Sequence, residues 1–217
     1  MICASFDIGK KNFSFCVEYF KDKSPVKYKK KRYNIDGTCE EQFKEHIKQV
    51  CLNGDILFLT NVDITDNCDS KLSLDPETFY NMNDELDKHL DLWDKCDVFI
   101  IEKQMMFGKQ TNPMAVKLAQ HCYSYFVFKY GRFKKIIEFP AYNKTQVLGA
   151  LKNKVKNKYK SIAKPQRKKW CINKAIEILE ERKDNNTIQQ ILLSKKKDDL
   201  CDVICQLQSW KVLLLYI

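Results

Sequence analysis

Two short apolar runs, each ending in an acidic residue, place the strongest limits on how this chain folds. The first, "ICASFD", begins at Ile2 and ends at Asp7, and the second, "VFIIE", begins at Val98 and ends at Glu102. Runs of this length and character are typical of strands buried inside a sheet. The residue at the end of such a strand is held in a fixed position, so each acid is either a surface charge or a ligand on a rigid support.

The spacing of apolar residues in the rest of the chain predicts an α/β domain. Strands are expected at 12–20 and 26–35, forming an antiparallel meander with the first run, and also at 55–62 and 133–140. Amphipathic helices are expected at 40–52, around 78–93, and at 112–130, 165–183 and 195–217. The length of 217 residues and the 44% hydrophobic content are sufficient for one domain with a normal core.

Positive charge is concentrated in the second half of the chain. Residues 1–100 hold 14 basic and 19 acidic residues, net −5, whereas residues 101–217 hold 24 and 9, net +15. Residues 144–169 contain ten basic residues and no acid. Because a solvated face normally mixes both signs, a stretch of one sign indicates a polyanionic partner, and nucleic acid fits best. The alternative is a disordered lysine-rich loop that binds nothing specific.

A third acidic cluster lies on the predicted C-terminal helix. Asp199 and Asp202 are three residues apart, and Asp198 and Asp202 are four apart, so either pair projects from one helix face. Such acids repel one another unless a cation neutralises them, although a position in the first helical turn also stabilises acids through the helix dipole. Together with Asp7 and Glu102, the cluster supplies what a two-metal phosphodiester site requires, because hard divalent cations prefer carboxylate oxygens.

Other classes of protein are disfavoured. The ten cysteines form no CxxC pair, and the three histidines do not have zinc-finger spacing, so reduced thiols in a cytosol-like compartment are expected. No apolar run reaches the roughly 18 residues of a membrane span, and no signal segment precedes the first strand. A soluble, unsecreted protein is therefore expected.

Three motifs resemble those of the poxvirus-type Holliday junction resolvases, which are RuvC-like enzymes of the RNase H-like superfamily. They are "FDIGKKN", "IIEKQ" and "KKKDDLCDVICQ", which match the family's Asp-x-Gly-x-x-Asn, Glu-x-Gln and Asp-Asp-x-x-Asp in the family's order. The resemblance implies an RNase H-like mixed five-stranded sheet, with its first three strands antiparallel, flanked by helices. It also implies one nuclease domain at residues 1–217, with insertions near 53–95 and 143–164.

The same resemblance implies the chemistry. Asp7, Glu102, Asp199 and Asp202 would be the catalytic metal ligands, and Asp198 would be an adjacent helix-start residue. Two Mg²⁺ ions, for which Mn²⁺ would substitute, would support in-line attack by water on the scissile phosphate, giving 5′-phosphate and 3′-hydroxyl ends. No small-molecule cofactor is expected. The residues expected to contact DNA are Lys152, Lys154, Lys156, Lys158, Arg167, Lys168, Lys169, Lys196 and Lys197.

The expected partner is a four-way DNA junction, which a homodimer would cut symmetrically because two-fold symmetry places two active sites on opposing strands. The aromatic helix "MAVKLAQHCYSYFVF" is the candidate interface, because its apolar faces exceed what one core contact would use; the alternative is that both faces are buried. Phe107, Tyr123 and Tyr125 are expected either to stack on opened bases or to belong to the core. The expected setting is DNA recombination and repair of a large DNA virus, in the cytoplasm or nucleus of the host cell. Two alternatives remain: an RNase H-like nuclease acting on RNA–DNA hybrids or general branched DNA, and a non-catalytic nucleic-acid-binding module.

Overall fold

The computed structural model describes residues 1–21, 25, 27–68, 73–104 and 112–215, which divide into two compact units. The first unit comprises Met1–Tyr19 and Ile56–Ala141, and the second comprises Phe20–Asp55 and Tyr142–Ile217. The expectation of one nuclease domain over residues 1–217 stays a prediction.

A five-stranded mixed sheet is the central element of the fold. Its strands, in chain order, are β1 (Ile2–Asp7), β2 (Phe13–Tyr19), β3 (Asp55–Val62), β4 (Val98–Lys103) and β5 (Lys135–Pro140). Their order across the sheet is β3-β2-β1-β4-β5. β1 runs antiparallel to β2 and parallel to β4, and β4 runs parallel to β5. The predicted RNase H-like mixed sheet is confirmed, and the two acid-ending runs occupy its adjacent strands β1 and β4.

The predicted strand at 26–35 is wrong. Residues 27–35 are irregular, apart from an isolated bridge between Tyr33 and Cys39, and the third strand of the chain is β3 at Asp55–Val62. Lysine or arginine occupies five of the six positions from 27 to 32, so the segment has no apolar face to bury in a sheet. The Tyr33 hydroxyl instead donates to the carbonyl of Val147 at 3.0 Å, which holds this segment in the second unit.

Eight helices are assigned in the described residues, and the five predicted helices correspond to six of them. The eight are α1 (Glu41–Leu52), α2 (Pro76–Asp87), α3 (Leu90–Trp93), α4 (Pro113–Tyr130), α5 (Asn143–Gln146), α6 (Lys164–Arg182), α7 (Asn185–Leu193) and α8 (Lys197–Leu215). The helix expected around 78–93 is divided into α2 and α3. No helix in the described ranges is long and apolar enough to cross a membrane.

Aromatic side chains form the core of the first unit. Phe6 of β1 lies 5.2 Å from Phe126 of α4 and 5.6 Å from Trp93, measured between ring centroids. Phe99 of β4 stacks on Phe126 at 4.0 Å. Tyr123 and Tyr125 pack against the same cluster, as the core alternative predicted, and Phe107 lies outside the described residues. This packing fixes β1 and β4 and therefore the acids at their ends.

The second unit combines helices with a small hairpin. Its helices are α1, α5, α6, α7 and α8, and its hairpin consists of β6 (Asn153–Val155) and β7 (Lys158–Lys160). α8 is buried at every position from Val203 to Val212, and this stretch includes the polar residues Gln206, Gln208, Ser209 and Lys211. Neither the hairpin nor α7 was expected from the sequence.

Two cationic side chains, one fully buried and the other half-buried, bind the C-terminal end of α1. Lys211 of α8 is fully buried and donates to the carbonyl of Asn53 at 2.7 Å and to Oε1 of Gln208 at 2.9 Å. Arg182 donates to the carbonyl of Cys51 at 2.6 Å and to Gln208 at 3.0 Å. Carbonyls at a helix C-terminus carry partial negative charge and lack partners within the helix, so these cations stabilise the end of α1.

All ten cysteines are free thiols, and eight of them are buried; Cys39 and Cys68 are half-buried. Burial raises the pKa of Cys39 to about 11 and that of Cys96 and Cys201 to about 12. The thiols therefore act mainly as small apolar groups in the core.

Candidate active site

Asp7 and Glu102 lie side by side at one edge of the sheet. β1 and β4 are parallel neighbours, and their register pairs Phe6 with Ile101, so the next residue on each strand is one of the two acids. Because side chains alternate along a strand, both acids point to the face opposite Phe6 and Ile101. Both are half-buried. As predicted from the sequence, each of the two strands has an acid at or next to its C-terminal end.

The residues around this pair hold the nearby loops in place. Gln104 donates to Oε1 of Glu102 at 3.4 Å. A Cβ atom on Gly9 would lie 3.0 Å from the carbonyl oxygen of Asn12, a tight contact that favours glycine in the turn after β1. Lys10 is buried, and its ammonium donates to the carbonyl of Ser73 at 2.7 Å. This contact ties the turn to the segment that precedes α2, and sequence reasoning did not assign Lys10 a role.

The other acids lie at the start of α8 in the second unit. Asp198 and Asp199 are in the first turn, and Asp202 follows in the next one. Lys168 of α6 forms an ion pair with Asp198, and Lys144 of α5 lies 3.1 Å from Oδ2 of Asp202. Each of these two acids therefore has a lysine partner, which offsets the repulsion within the cluster.

The Lys168–Asp198 pair changes the pKa of both groups. Burial alone raises the pKa of the Asp198 carboxyl, but the hydrogen bond and charge of Lys168 outweigh burial and lower it. Burial alone lowers the pKa of Lys168, and the three nearby carboxylates of α8 outweigh this and raise it. Both groups are therefore charged at neutral pH.

Lys144 is a second residue near the acids that sequence reasoning missed. It is only 4% exposed, although it is the first residue of the basic stretch that was expected to be an exposed, DNA-binding surface. Its position between the predicted strand and Val147–Leu148 was the available signal, because a lysine in an apolar context is rarely buried without an acidic partner. That partner, Asp202, lies 58 residues away in sequence.

The predicted DNA-contacting residues fall into three groups. Lys154, Lys156 and Lys158 are exposed on the β6–β7 hairpin, with Lys152 half-buried at its base. Arg167, Lys168 and Lys169 lie near the start of α6, and Lys168 is engaged with Asp198. Lys196 is exposed in the turn before α8, and Lys197 is the first residue of that helix. All of them belong to the second unit.

The donor atoms suit a hard divalent cation. Each unit presents carboxylate oxygens, which are the ligands that Mg²⁺ and Mn²⁺ prefer, and the paired acids on β1 and β4 are fixed by the sheet. Within neither unit do three or more Asp, Glu, His or Cys side chains of the described residues gather in a position to hold a metal ion. The fit to a metal therefore rests on the chemistry of the four acids and on the rigid elements that carry them.

Comparison with known proteins assigns the chain to a viral family. The sequence matches no protein-family model. It is 38% identical to protein 170L of Invertebrate iridescent virus 6, over 98% of this chain and 89% of that protein. The chain belongs to the 170L family. Protein 97L of Invertebrate iridescent virus 3 is 28% identical, over 96% of this chain and 98% of that protein.

The fold of this 170L-family chain is that of the RuvC-like Holliday junction resolvases. The Fowlpox virus resolvase, solved with Holliday junction DNA, has a TM-score of 0.57 and 18% identity and is matched over 99% of both chains. RuvC of Thermus thermophilus has a TM-score of 0.54 and 11% identity over 99% of this chain and 98% of its own. The yeast mitochondrial resolvase Ydc2 has a TM-score of 0.51 and 12% identity, and the match covers 98% of this chain and 79% of the Ydc2 chain.

Proposed function

We propose that this protein is a Holliday junction resolvase, an endonuclease that makes paired, symmetrical cuts in four-way DNA junctions during viral recombination and the resolution of genome concatemers. One observation carries the proposal. In a chain with the resolvase fold over its full length, Asp7 and Glu102 lie together at the end of adjacent sheet strands, and Asp199 and Asp202 lie at the start of α8. These are the positions of the three acidic motifs in the sequence.

The four acids supply the ligands of the catalytic metal centre, which takes Mg²⁺, with Mn²⁺ as a substitute. Divalent ions bound there supply charge stabilisation for the phosphate and an activated water for in-line hydrolysis. Asp7 and Glu102 are positioned by the paired strands β1 and β4, which hold the backbones of the two acids side by side. Asp199 and Asp202 are carried by a helix that is buried beyond them, which limits their movement.

Lys144 controls the charge of the acidic cluster. Its ammonium lies 3.1 Å from Asp202 in the protein alone, where it offsets repulsion between the acids of α8. With DNA bound, the same ammonium is available to the scissile phosphate, whose negative charge increases during attack. The buried position of Lys144 restricts its movement, so its charge stays at the acidic cluster in both states.

Charge and exposed surface support the proposed DNA substrate and the proposed homodimer. The lysines and arginine of the second unit bind junction phosphates, and a homodimer provides the two active sites that symmetrical cutting needs. Support for α4 as the dimer interface comes from two exposed residues at its C-terminal end: Phe128 is 89% exposed, and Val127 is 38% exposed. Phe133, just beyond the helix, is 99% exposed. The ten free thiols suit the reducing interior of the infected cell.

A supercoiled plasmid that extrudes a cruciform tests the function. Paired cutting in one binding event converts the plasmid directly to linear DNA, whereas unpaired cutting first accumulates the nicked circle. Sizing the protein in solution is expected to give about twice 25.7 kDa. Predominantly nicked product from an active monomer would overturn the resolvase assignment in favour of a general nuclease. Cutting of an RNA–DNA hybrid in preference to the junction would instead assign the protein to the hybrid nucleases.

A further inference from the structure

The β6–β7 hairpin is a two-stranded ribbon with a two-residue turn. Asn153 pairs with Lys160, Lys154 with Tyr159 and Val155 with Lys158, and the turn is formed by Lys156 and Asn157. Lys156 has φ of 53°, in the left-handed region that primed hairpin turns require. Every residue from Asn153 to Lys160 is exposed except Tyr159, which is half-buried. An isolated two-stranded hairpin is at best marginally stable, so it depends on its base for support.

Its base is attached to two elements of the second unit. The backbone N–H of Lys152 donates to the carbonyl of Asp36 at 2.7 Å, and the side chain of Asn153 donates to Gln166 of α6 at 2.9 Å. The stem of Lys152 also packs over Gly37, where a Cβ atom would lie only 2.9 Å from its Cγ. Gln166 is two residues before Lys168, the partner of Asp198. The hairpin therefore projects from the same end of α6 that contacts the acidic cluster.

The lysines of the hairpin lie on both of its faces and at its tip. Residues paired across an antiparallel ribbon point to the same face, and successive residues along a strand point to opposite faces. Lys154 therefore lies on one face, and Lys158 and Lys160 lie on the other. Lys156 occupies the tip. Residues 152–160 contain five lysines and no acid. A ribbon with positive charge on both faces and at its tip is suited to a channel with negative charge on two walls, rather than to a flat surface that it could meet with one face.

We propose that the β6–β7 hairpin inserts into the major groove of a duplex arm of the DNA substrate and contacts phosphates on both walls. This inference rests on the proposed function. The major groove of B-form DNA is about 12 Å wide and admits a two-stranded ribbon, whose strands are about 4.8 Å apart. The hairpin thereby holds an arm while α8, connected to it through α6, presents its acids to the DNA backbone. Its role is to grip and orient the arm, and the chemistry of cutting does not involve it.

The lysines of the hairpin have two alternative roles, and each predicts a different result. Lysines on an exposed strand edge also prevent edge-to-edge aggregation, but acidic residues serve that purpose as well, and this stretch has none. A disordered polycation would bind any polyanion equally. Binding to duplex RNA distinguishes such a polycation from a hairpin that inserts into a groove. The major groove of A-form RNA is too deep and narrow for a ribbon to enter, so groove insertion contributes nothing to RNA binding.

The test compares two full-length variants from which the same charge is removed. One carries Lys154→Gln, Lys156→Gln, Lys158→Gln and Lys160→Gln, and its matched control carries Lys44→Gln, Lys95→Gln, Lys135→Gln and Lys183→Gln at exposed sites elsewhere. Dissociation constants are measured by fluorescence anisotropy over a range of salt concentrations, without divalent metal, on a four-way junction, a linear DNA duplex and an RNA duplex.

The hairpin variant is expected to bind both DNA substrates at least about tenfold more weakly than the control, with a salt slope smaller by about 0.9 for each phosphate that the hairpin no longer neutralises. On duplex RNA the two variants are expected to agree. Equal slopes for the two variants on DNA, an equal weakening on DNA and RNA, or aggregation of the hairpin variant with unchanged affinity of its soluble fraction would each overturn the proposal.

Cleavage separates this proposal from the proposed function. Junction cutting is measured on the wild-type protein, so that the test of the proposed function does not depend on the hairpin variant. If the wild-type protein cuts no junction but the hairpin variant still binds duplex DNA more weakly than the control, the resolvase assignment fails and the hairpin proposal stands. If the wild type cuts junctions and the two variants bind DNA alike, only the hairpin proposal fails.

Discussion

The ammonium of Lys144 lies 3.1 Å from Oδ2 of Asp202. The lysine is 4% exposed and sits on the short helix α5, while the acid sits on α8. A buried lysine against an acid normally indicates a stabilising pair, but here the acid also belongs to a motif that resembles a catalytic one. The contact would stabilise the fold, but it would also compete with a metal ion for Asp202. Changing Lys144 allows the two effects to be measured separately.

Lys144→Gln is expected to lower the rate of junction cleavage about 10²–10³-fold. This is the reduction typical of removing one group that stabilises the charge developing in the transition state. The same change is expected to strengthen Mn²⁺ binding by the DNA-free protein, because Asp202 then lacks the cation that competes with the metal, while Lys168 stays paired with Asp198. Single-turnover cleavage and calorimetric metal titration measure the two effects. Weaker metal binding together with normal cleavage would contradict both expected effects. Lys174→Gln, which removes a lysine paired with Glu177, is the control.

Asp7→Asn, Glu102→Gln, Asp199→Asn and Asp202→Asn are each expected to abolish cleavage while retaining affinity for junction DNA. Neutralising a metal ligand removes the chemistry but leaves the basic surface intact. Gel-shift assays and cleavage assays on one labelled junction measure both properties. Asp198→Asn serves as the comparison and is expected to have a milder effect. Wild-type cleavage by Asp199→Asn would show that the assignment of the helical pair is wrong.

Lys211→Met is expected to lower the free energy of unfolding by about 1–3 kcal/mol, the cost of removing a buried hydrogen-bond donor from its acceptors. The carbonyl of Asn53 loses the ammonium that donates to it, and Oε1 of Gln208 loses one donor but keeps Arg182. Denaturant unfolding measures the change. Lys195→Met, at an exposed lysine, is expected to have an effect within about 0.5 kcal/mol. Equal effects of the two substitutions would show that the buried contacts at the end of α1 are not stabilising.

Asp75→Ala is expected to lower the melting temperature at neutral pH, and this difference from the wild type should shrink in acid. Asp75 caps α2 by accepting from the N–H of Thr78 at 3.0 Å and from its hydroxyl at 2.8 Å, and these hydrogen bonds lower the pKa of the carboxyl. A carboxyl with a lowered folded pKa adds stability above its unfolded pKa of about 3.9 and loses it as the pH falls below that value. Thermal melts between pH 7 and about pH 2 measure the difference. Asp84→Ala, exposed in the middle of the same helix, is expected to show no such convergence.

The sequence predicted the elements whose burial pattern is strong and local. The runs that became β1 and β4 are almost entirely apolar up to the acids near their ends, and α1, α4, α6 and α8 follow helical periodicity. The hairpin was missed because lysine is uncommon in strands, although its alternating lysines have the period of a strand. The segment at 26–35 alternates less well and was wrongly predicted as a strand.

The candidate site was predictable only in part, because its residues are brought together by contacts that are distant in sequence. Asp7 and Glu102 each end a recognisable strand, but their adjacency depends on β1 pairing with β4. The pairing of Lys144 with Asp202 depends on α5 packing against α8 and has no local signal. Composition placed Lys144 in a basic surface, whereas the fold buries it.

The buried thiols have a practical consequence for labelling. With its pKa raised to about 11, Cys39 holds only about one thiolate in ten thousand at pH 7, and Cys96 and Cys201 hold still less. Cys68 is half-buried and hydrogen-bonded to Thr78, and serine can replace it. A cysteine introduced for Asn157 would then react with a maleimide dye well before the native ones. A single fluorophore at that position would report directly on whether the tip of the hairpin becomes shielded from water when DNA is added.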